Sequence, residues 1–212
     1  MTKSRPEPGR YPHLDAVLCD VDGVLRVWDP DGLSGTDRAY GLPPGTLAAA
    51  AFAPARLLPA VTGRVTDDQW RALVADDLAE ACGSLSRARA VVADWSAQTG
   101  DIDVTVRDAL AALRPAVRIV LVSNATTRLE EDLARARVLD HVDDVVNSSR
   151  VGAAKPDPRI YRIAAQRAGA PPERCLFIDD TPENVDAARR TGMAGLHYRS
   201  PDDLHAWLNS HA

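Results

Sequence analysis

Lysine is almost missing from this chain. Of its 25 lysines and arginines, only Lys3 and Lys155 are lysines. The skew reads as a coding bias that uses arginine wherever only a positive charge is wanted. Lys155, kept in the body of the chain, therefore stands out, because an ammonium and a guanidinium differ in shape and hydrogen-bond geometry. Cysteine is scarce as well. Cys19, Cys82 and Cys175 form an odd, scattered set without a C-x-x-C pair. That argues against a disulfide framework and points to buried thiols in a reducing, cytoplasmic compartment. The five histidines show no paired spacing, which argues against a zinc centre. No apolar run has membrane-spanning length, and the first residues hold no apolar signal-peptide centre. Nor is there an excess of positive charge. The net charge of −5 speaks against a nucleic-acid surface.

What is present fits one domain with a modest insertion. The chain has 212 residues, 45% hydrophobic and 26% charged. Residues 1–13 are polar and proline-rich and read as a disordered tail. Short apolar runs at 16–19, 117–122, 142–146, 175–178 and 194–198 read as buried strands. Helical patterns follow the later ones at 127–137, 158–168, 182–190 and 201–208. Several open on proline, and two stop at Gly169 and Gly192. Strands alternating with helices imply an α/β fold, a doubly wound parallel sheet of Rossmann-like type. Residues 33–102 differ. They hold no convincing strand, and Thr66 with Gln69 forms a capping-box pattern ahead of Trp70, Leu73, Val74 and Leu78. They read as a small all-helical insertion between core segments 14–32 and 103–212.

The strand ends carry the chemistry. Parallel strands finish on one edge, where ligands bind. Asp20 and Asp22 follow the first strand, Ser123 and Asn124 the second, Asp179 and Asp180 the fourth. Lys155 follows the third by a loop and can reach the same edge. Singly, each has a plain structural reading. Asp-x-Asp-Gly suits a turn, Ser123-Asn124 a helix cap, Asp179-Asp180 a helix start, and Lys155 a solvated charge. Their order and placement together favour a site. Clustered carboxylates repel unless a cation sits among them, and such oxygen ligands suit Mg²⁺. A lysine and a hydroxyl beside that cation would hold a phosphate. One carboxylate could then act as nucleophile and another as acid and base.

These residues resemble the haloacid dehalogenase-like hydrolase superfamily, in its phosphatase branch. The motifs stand as Asp20-Val21-Asp22-Gly23-Val24, Leu121-Val122-Ser123-Asn124, Gly152-Ala153-Ala154-Lys155-Pro156, and Phe177-Ile178-Asp179-Asp180 running on through Asn184. The insertion falls where that family places a small cap domain. The resemblance implies a magnesium-dependent phosphatase acting on a small phosphorylated metabolite. Asp20 would be the nucleophile, and Asp22 would protonate the leaving alcohol and then activate water. Ser123, Asn124 and Lys155 would hold the phosphoryl group. Mg²⁺ would be bound by the Asp20 carboxylate, the Asp22 backbone carbonyl and Asp180. Asp179 would orient Lys155 or a water of the metal site, with Asn184 in support.

Within the family, haloacid dehalogenases lack an acid at the Asp22 position. Phosphonate-cleaving members use a cap lysine, and residues 33–102 contain none. A sugar-phosphate mutase shares Asp20 and Asp22 and is the neighbouring alternative. A non-catalytic phosphate-binding or protein-interaction domain is the alternative from another class, and such proteins usually lose the nucleophile or the acid. Trp70 and Trp95 fit helical apolar stripes and are expected in core packing. Arg26 and Trp28 are expected at the entrance to the site.

Overall fold

Ala16–Cys19 joins four apolar residues with no polar position between them, so neither face of the strand suits water. In the computed structural model this is β1, fully buried. The structure describes residues 11–114 and 116–211. After β1 the chain makes β2 (Arg26–Val27) and five helices: α1 (Gly32–Ala39), α2 (Thr46–Ala51), α3 (Pro54–Val61), α4 (Asp67–Leu78) and α5 (Leu85–Ala97). It returns through β3 (Asp101–Ile102) and α6 (Val104–Leu113) to β4 (Arg118–Ser123). Then follow α7 (Leu129–Arg135), β5 (Asp144–Asn147), α8 (Ser148–Val151), α9 (Pro158–Ala168) and β6 (Cys175–Asp179). The chain closes with α10 (Pro182–Arg190), β7 (Ala194–His197) and α11 (Pro201–Ser210).

Five strands form one parallel sheet in the order β5-β4-β1-β6-β7. The chain winds outward from β1 in both directions. The carboxyl ends of β4, β1 and β6 therefore flank the point where the winding reverses, and a crevice opens there. Side chains alternate between the two faces. Val17, Cys19, Ile119, Leu121, Leu176 and Ile178 pack with α6, α7 and α11. Ala16, Leu18, Val120, Val122 and Phe177 pack with α9 and α10. Tyr161 meets Phe177 edge-on at 5.0 Å and donates its hydroxyl to the Asn184 carbonyl, 2.9 Å away.

Helices α1 to α5 enclose a separate apolar cluster around Leu47, Trp70, Val74, Leu78 and Val91. The Thr66–Gln69 capping box forms as expected, with both reciprocal bonds present at 3.2 and 2.9 Å. One element runs against expectation. Asp101–Ile102 pairs antiparallel with Arg26–Val27, so the chain leaves and re-enters the core through a two-residue ribbon. Two residues give no period to read. The tail expected over 1–13 lies outside the described residues as far as position 10. Its last residues belong with the core. Tyr11 packs against the apolar cluster, and the Pro12 carbonyl accepts from Arg174 Nη2 at 3.2 Å. The helices expected over 158–168 and 182–190 form with those bounds, the one expected over 127–137 is shorter, Leu129–Arg135, and the last runs on from 208 to Ser210. Among the described residues no helix is long and apolar enough to cross a membrane, and all three cysteines are free and buried.

Leu18 sits on the central strand with no solvent exposure. Leu18→Ala is expected to cost about 2–5 kcal/mol in urea unfolding, the range for a leucine truncated in a close-packed core. A loss under about 1 kcal/mol would contradict that packing.

Candidate active site

The β1 carboxyl end turns sharply. The Asp20 N–H still donates to the Ile178 carbonyl, 2.9 Å away, so Asp20 sits in register with the sheet. The Leu25 and Arg26 N–H groups then fold back onto the Val21 carbonyl. Gly23 holds φ at +85° in this turn, a region that favours glycine. A Cβ there would stand 2.1 Å from Asp180 Oδ2. Glycine thus leaves the room that the Asp180 carboxylate occupies.

Lys155 Nζ lies 2.7 Å from Asp20 Oδ1 and 2.6 Å from Asp179 Oδ2. All three side chains are buried. The cis peptide to Pro156 follows directly. Asn124 clamps the lysine backbone on both sides, accepting from its N–H at 2.7 Å and donating to its carbonyl at 2.9 Å. Asp179 is held as firmly. It accepts from the Thr181 N–H at 2.9 Å and from Asn184 Nδ2 at 3.0 and 3.2 Å. Burial pushes the Asp20 carboxyl up to about 7, with Lys155 pulling down and Asp179 pushing further up. Burial would by itself lower the Lys155 ammonium, but the two carboxylates outweigh it and hold it above its ordinary value.

Asp20, Asp179 and Asp180 each offer an oxygen, and these oxygens lie within 4.8 Å of one another. Three carboxylates face one ammonium. The surplus negative charge and the hard oxygen donors suit a small divalent cation. Asp180 is the exposed member, and its carbonyl is met by His197 Nε2 at 3.0 Å. Ser123 ends β4, buried, and its hydroxyl makes no hydrogen bond to another described residue.

Two of the expected site residues are engaged by their neighbours. Asn124, expected to help hold a phosphate, gives one donor and one acceptor of its side-chain amide to the Lys155 backbone. It is a positioning residue for the lysine. Asp22 lies near the cluster but its carboxylate stays outside it. Arg26 donates to it through Nε at 2.6 Å and Nη2 at 3.0 Å, and Trp28 Nε1 donates at 2.7 Å. Asp179 is the third carboxylate of the cluster, with its oxygens engaged by Lys155, Thr181 and Asn184.

The helical insertion closes over this edge. Thr126 Oγ1 donates to Asp67 Oδ1 at 2.6 Å, and the Asp67 N–H donates to Thr127 Oγ1 at 3.0 Å. These bonds explain why the helix expected from 127 begins only at Leu129: the two threonines serve the insertion instead. Arg128 Nη1 adds a bond to the Ser96 carbonyl at 3.0 Å. Between insertion and core lies a cavity of about 380 Å³, bordered by Asp22, Arg26, Trp28 and Asn124. Trp70 and Trp95 do pack edge to face at 5.5 Å, and they also line this cavity. Asp67 and Asp132 were not foreseen at the site, since a lone aspartate on a helix carries no distinguishing pattern.

The haloacid dehalogenase-like hydrolase family matches residues 14–192. The chain belongs to that family. As a haloacid dehalogenase-like hydrolase it is 30% identical over 206 residues to a phosphoglycolate phosphatase of Pseudomonas putida, covering 90% of this chain and 71% of that one. A phosphatase of Mycobacterium tuberculosis is 41% identical over 75 residues, 35% of each chain. The pig bifunctional epoxide hydrolase 2 is 27% identical over 208 residues, and the match spans only 37% of its length. The chain thus spans just over a third of these last two relatives. Among solved structures, a HAD family enzyme from Bacteroides thetaiotaomicron, in complex with magnesium and inorganic phosphate, shares the fold. Its TM-score is 0.71 at 23% identity, covering 88% of this chain and 94% of that one.

Replacing Lys155 by methionine would leave Asp20 and Asp179 buried without their shared partner. Lys155→Met is expected to cost about 3–5 kcal/mol in urea unfolding. Adding Asp179→Asn should restore part of it. Additive losses would contradict the shared-partner geometry.

Proposed function

We propose that this hydrolase is a magnesium-dependent phosphatase of small phosphomonoesters, working through an aspartyl-phosphate on Asp20. The observation that carries the reading is the junction of Asp20 with Lys155 at 2.7 Å, in a cluster whose carboxylate oxygens lie within 4.8 Å. The phosphatases named among its relatives support the same class of reaction. Asp20, Asp180 and the Asp22 carbonyl would hold Mg²⁺, which when bound offsets the repulsion between the carboxylates and an incoming phosphate dianion.

The chain's own groups do the rest. Ser123 Oγ and Lys155 Nζ donate to the phosphoryl oxygens and hold the phosphorus in line with Asp20. An Asp20 carboxylate oxygen forms the new bond to phosphorus as the ester oxygen departs. Asp22, turned from Arg26 and Trp28 and carrying a proton taken from solvent, gives that proton to the ester oxygen and becomes a carboxylate. In the second half Asp22 takes a proton from a water that attacks the same phosphorus. The bond to Asp20 breaks, and phosphate and free Asp20 are regenerated. Asp179 and Asn184 keep Lys155 aimed throughout. Residues 33–102 act as a cap on the core of 14–32 and 103–212, and the cavity beneath it takes the small phosphorylated metabolite. The free, buried cysteines fit a cytoplasmic setting.

The protein is expected to hydrolyse 4-nitrophenyl phosphate with Mg²⁺, to lose that activity in EDTA and to regain it when Mg²⁺ is restored. Asp20→Asn should lower kcat by roughly 10³-fold or more. Mg²⁺-dependent turnover by Asp20→Asn at the wild-type rate would sink the mechanism.

A further inference from the structure

Resting on the phosphatase reading, we propose that the cavity beside Asp22 selects the leaving alcohol, and that it takes a neutral, flat aromatic alcohol in preference to one carrying a carboxylate. The position follows from the walls. Asp22, two residues from the nucleophile, and Asn124, next to Ser123, both border the cavity. A phosphoryl group on Asp20 would point its ester oxygen this way.

The shape is set by aromatic rings in a chain that has few. The sequence holds two phenylalanines and four tryptophans. Four of these six, Trp28, Phe52, Trp70 and Trp95, line this one cavity, joined by Leu57 and Val61. Phe52 and Trp70 both meet Trp95 edge-on, at 6.2 and 5.5 Å. Trp28 is 42% exposed and Phe52 43%, and among the described residues no other phenylalanine or tryptophan is as open. Two large rings left wet at one rim favour an apolar occupant. An apolar cavity of about 150 Å³ already accepts benzene, and this one offers about 380 Å³.

The charges select against an anion. Three arginines border the cavity, and each is paired with an aspartate on the same wall. Arg26 holds Asp22, Arg71 holds Asp67, and Arg128 holds Asp132 at 2.9 Å. Arg71 Nη1 has no hydrogen-bond partner, but it is enclosed and does not face open space. Its guanidinium carbon lies 5.7 Å from the Trp95 ring centroid. No guanidinium is therefore free to receive a substrate carboxylate. Such a group would meet Asp29, Asp67 and Asp132 instead, and breaking a pair to admit it would strand a charge.

The test compares three phosphate esters of primary alcohols on the Mg²⁺-loaded protein: benzyl phosphate, glycerol 1-phosphate and phosphoglycolate. Matched alcohols keep the leaving-group chemistry similar. The expected order of kcat/KM is benzyl first, by about tenfold over glycerol 1-phosphate, with phosphoglycolate last. Phe52→Ala removes an exposed ring and should shrink the benzyl-to-glycerol ratio, mainly through KM. Phe52→Arg adds an unpaired cation and should raise phosphoglycolate relative to benzyl phosphate. In parallel, saturation-transfer NMR should detect benzyl alcohol on the wild type, weaker on Phe52→Ala, and no glycolate. Equal turnover of the three esters, or phosphoglycolate first, overturns the selectivity while leaving the phosphatase reading intact. If no ester is hydrolysed, the phosphatase reading fails, and the NMR arm still decides what the cavity binds: absence of benzyl alcohol signal overturns the inference there too.

Discussion

Lys155 Nζ stands between Asp20 and Asp179 at 2.7 and 2.6 Å, out of contact with water. Two carboxylates buried on adjacent strands would otherwise repel each other and lose their hydration, at a cost of several kcal/mol per ion. One ammonium between them offsets both terms. Much of the surrounding structure serves to keep it there. Asn124 fixes the lysine backbone, Thr181 and Asn184 fix the far carboxylate, and Tyr161 fixes the backbone of Asn184 from the core below. The parallel register of β4, β1 and β6 brings these groups to one edge. A sheet slipped by one residue would turn the same side chains to opposite faces.

The insertion depends on that edge in turn. Its bonds to the core run through Asp67 to Thr126 and Thr127, on the loop that follows Ser123 and Asn124. Gly63 packs so closely on the Ser149 carbonyl that a Cβ would stand 2.0 Å away. Insertion and core therefore meet through short polar contacts around a cavity lined by aromatic rings and paired charges. Asp22 belongs to both worlds. Its backbone lies in the turn that follows Asp20, and its carboxylate is tied to Arg26 and Trp28 beside the cavity.

The core was legible because its signals are local and repeated. Short apolar runs ended in acids, and helices opened on proline. The meeting of Asp20, Lys155, Asp179 and Asp180 follows from a parallel sheet, whose strands end on one edge. The capping box at Thr66 was legible for the same reason, since it is a pattern of two residues three apart. What escaped was the pairing of side chains across distant segments. Nothing near Asn124 reveals that its amide will spend itself on a backbone 31 positions away. Nothing near Asp22 distinguishes a carboxylate facing Asp20 from one turned to Arg26. The β2–β3 ribbon is too short to leave a period, and the helix after Asn124 starts late because Thr126 and Thr127 are used elsewhere.

The scarcity of lysine and the clustering of aromatic rings are two sides of one economy of side-chain types. Where the chain needs only a surface charge it uses arginine, as in the exposed pairs Arg159–Asp157 and Arg199–Asp203. At the strand edge a planar fork would be the wrong shape. The space between Asp20 and Asp179 calls for a compact charge with donors in several directions, and an ammonium supplies it. The cavity follows the opposite rule. Its arginines lie flat against rings or locked to aspartates, so their charge is spent before a ligand arrives. Arg26 illustrates this, stacked over Trp28 at 4.7 Å while paired with Asp22. On the proposed function the Lys155 ammonium, paired with Asp20 and Asp179, lies where a phosphate would sit, and the rings lie where the rest of the molecule would go. On the proposed function, that division would put recognition of the phosphoryl group and recognition of the alcohol in separate hands, joined at Asp22.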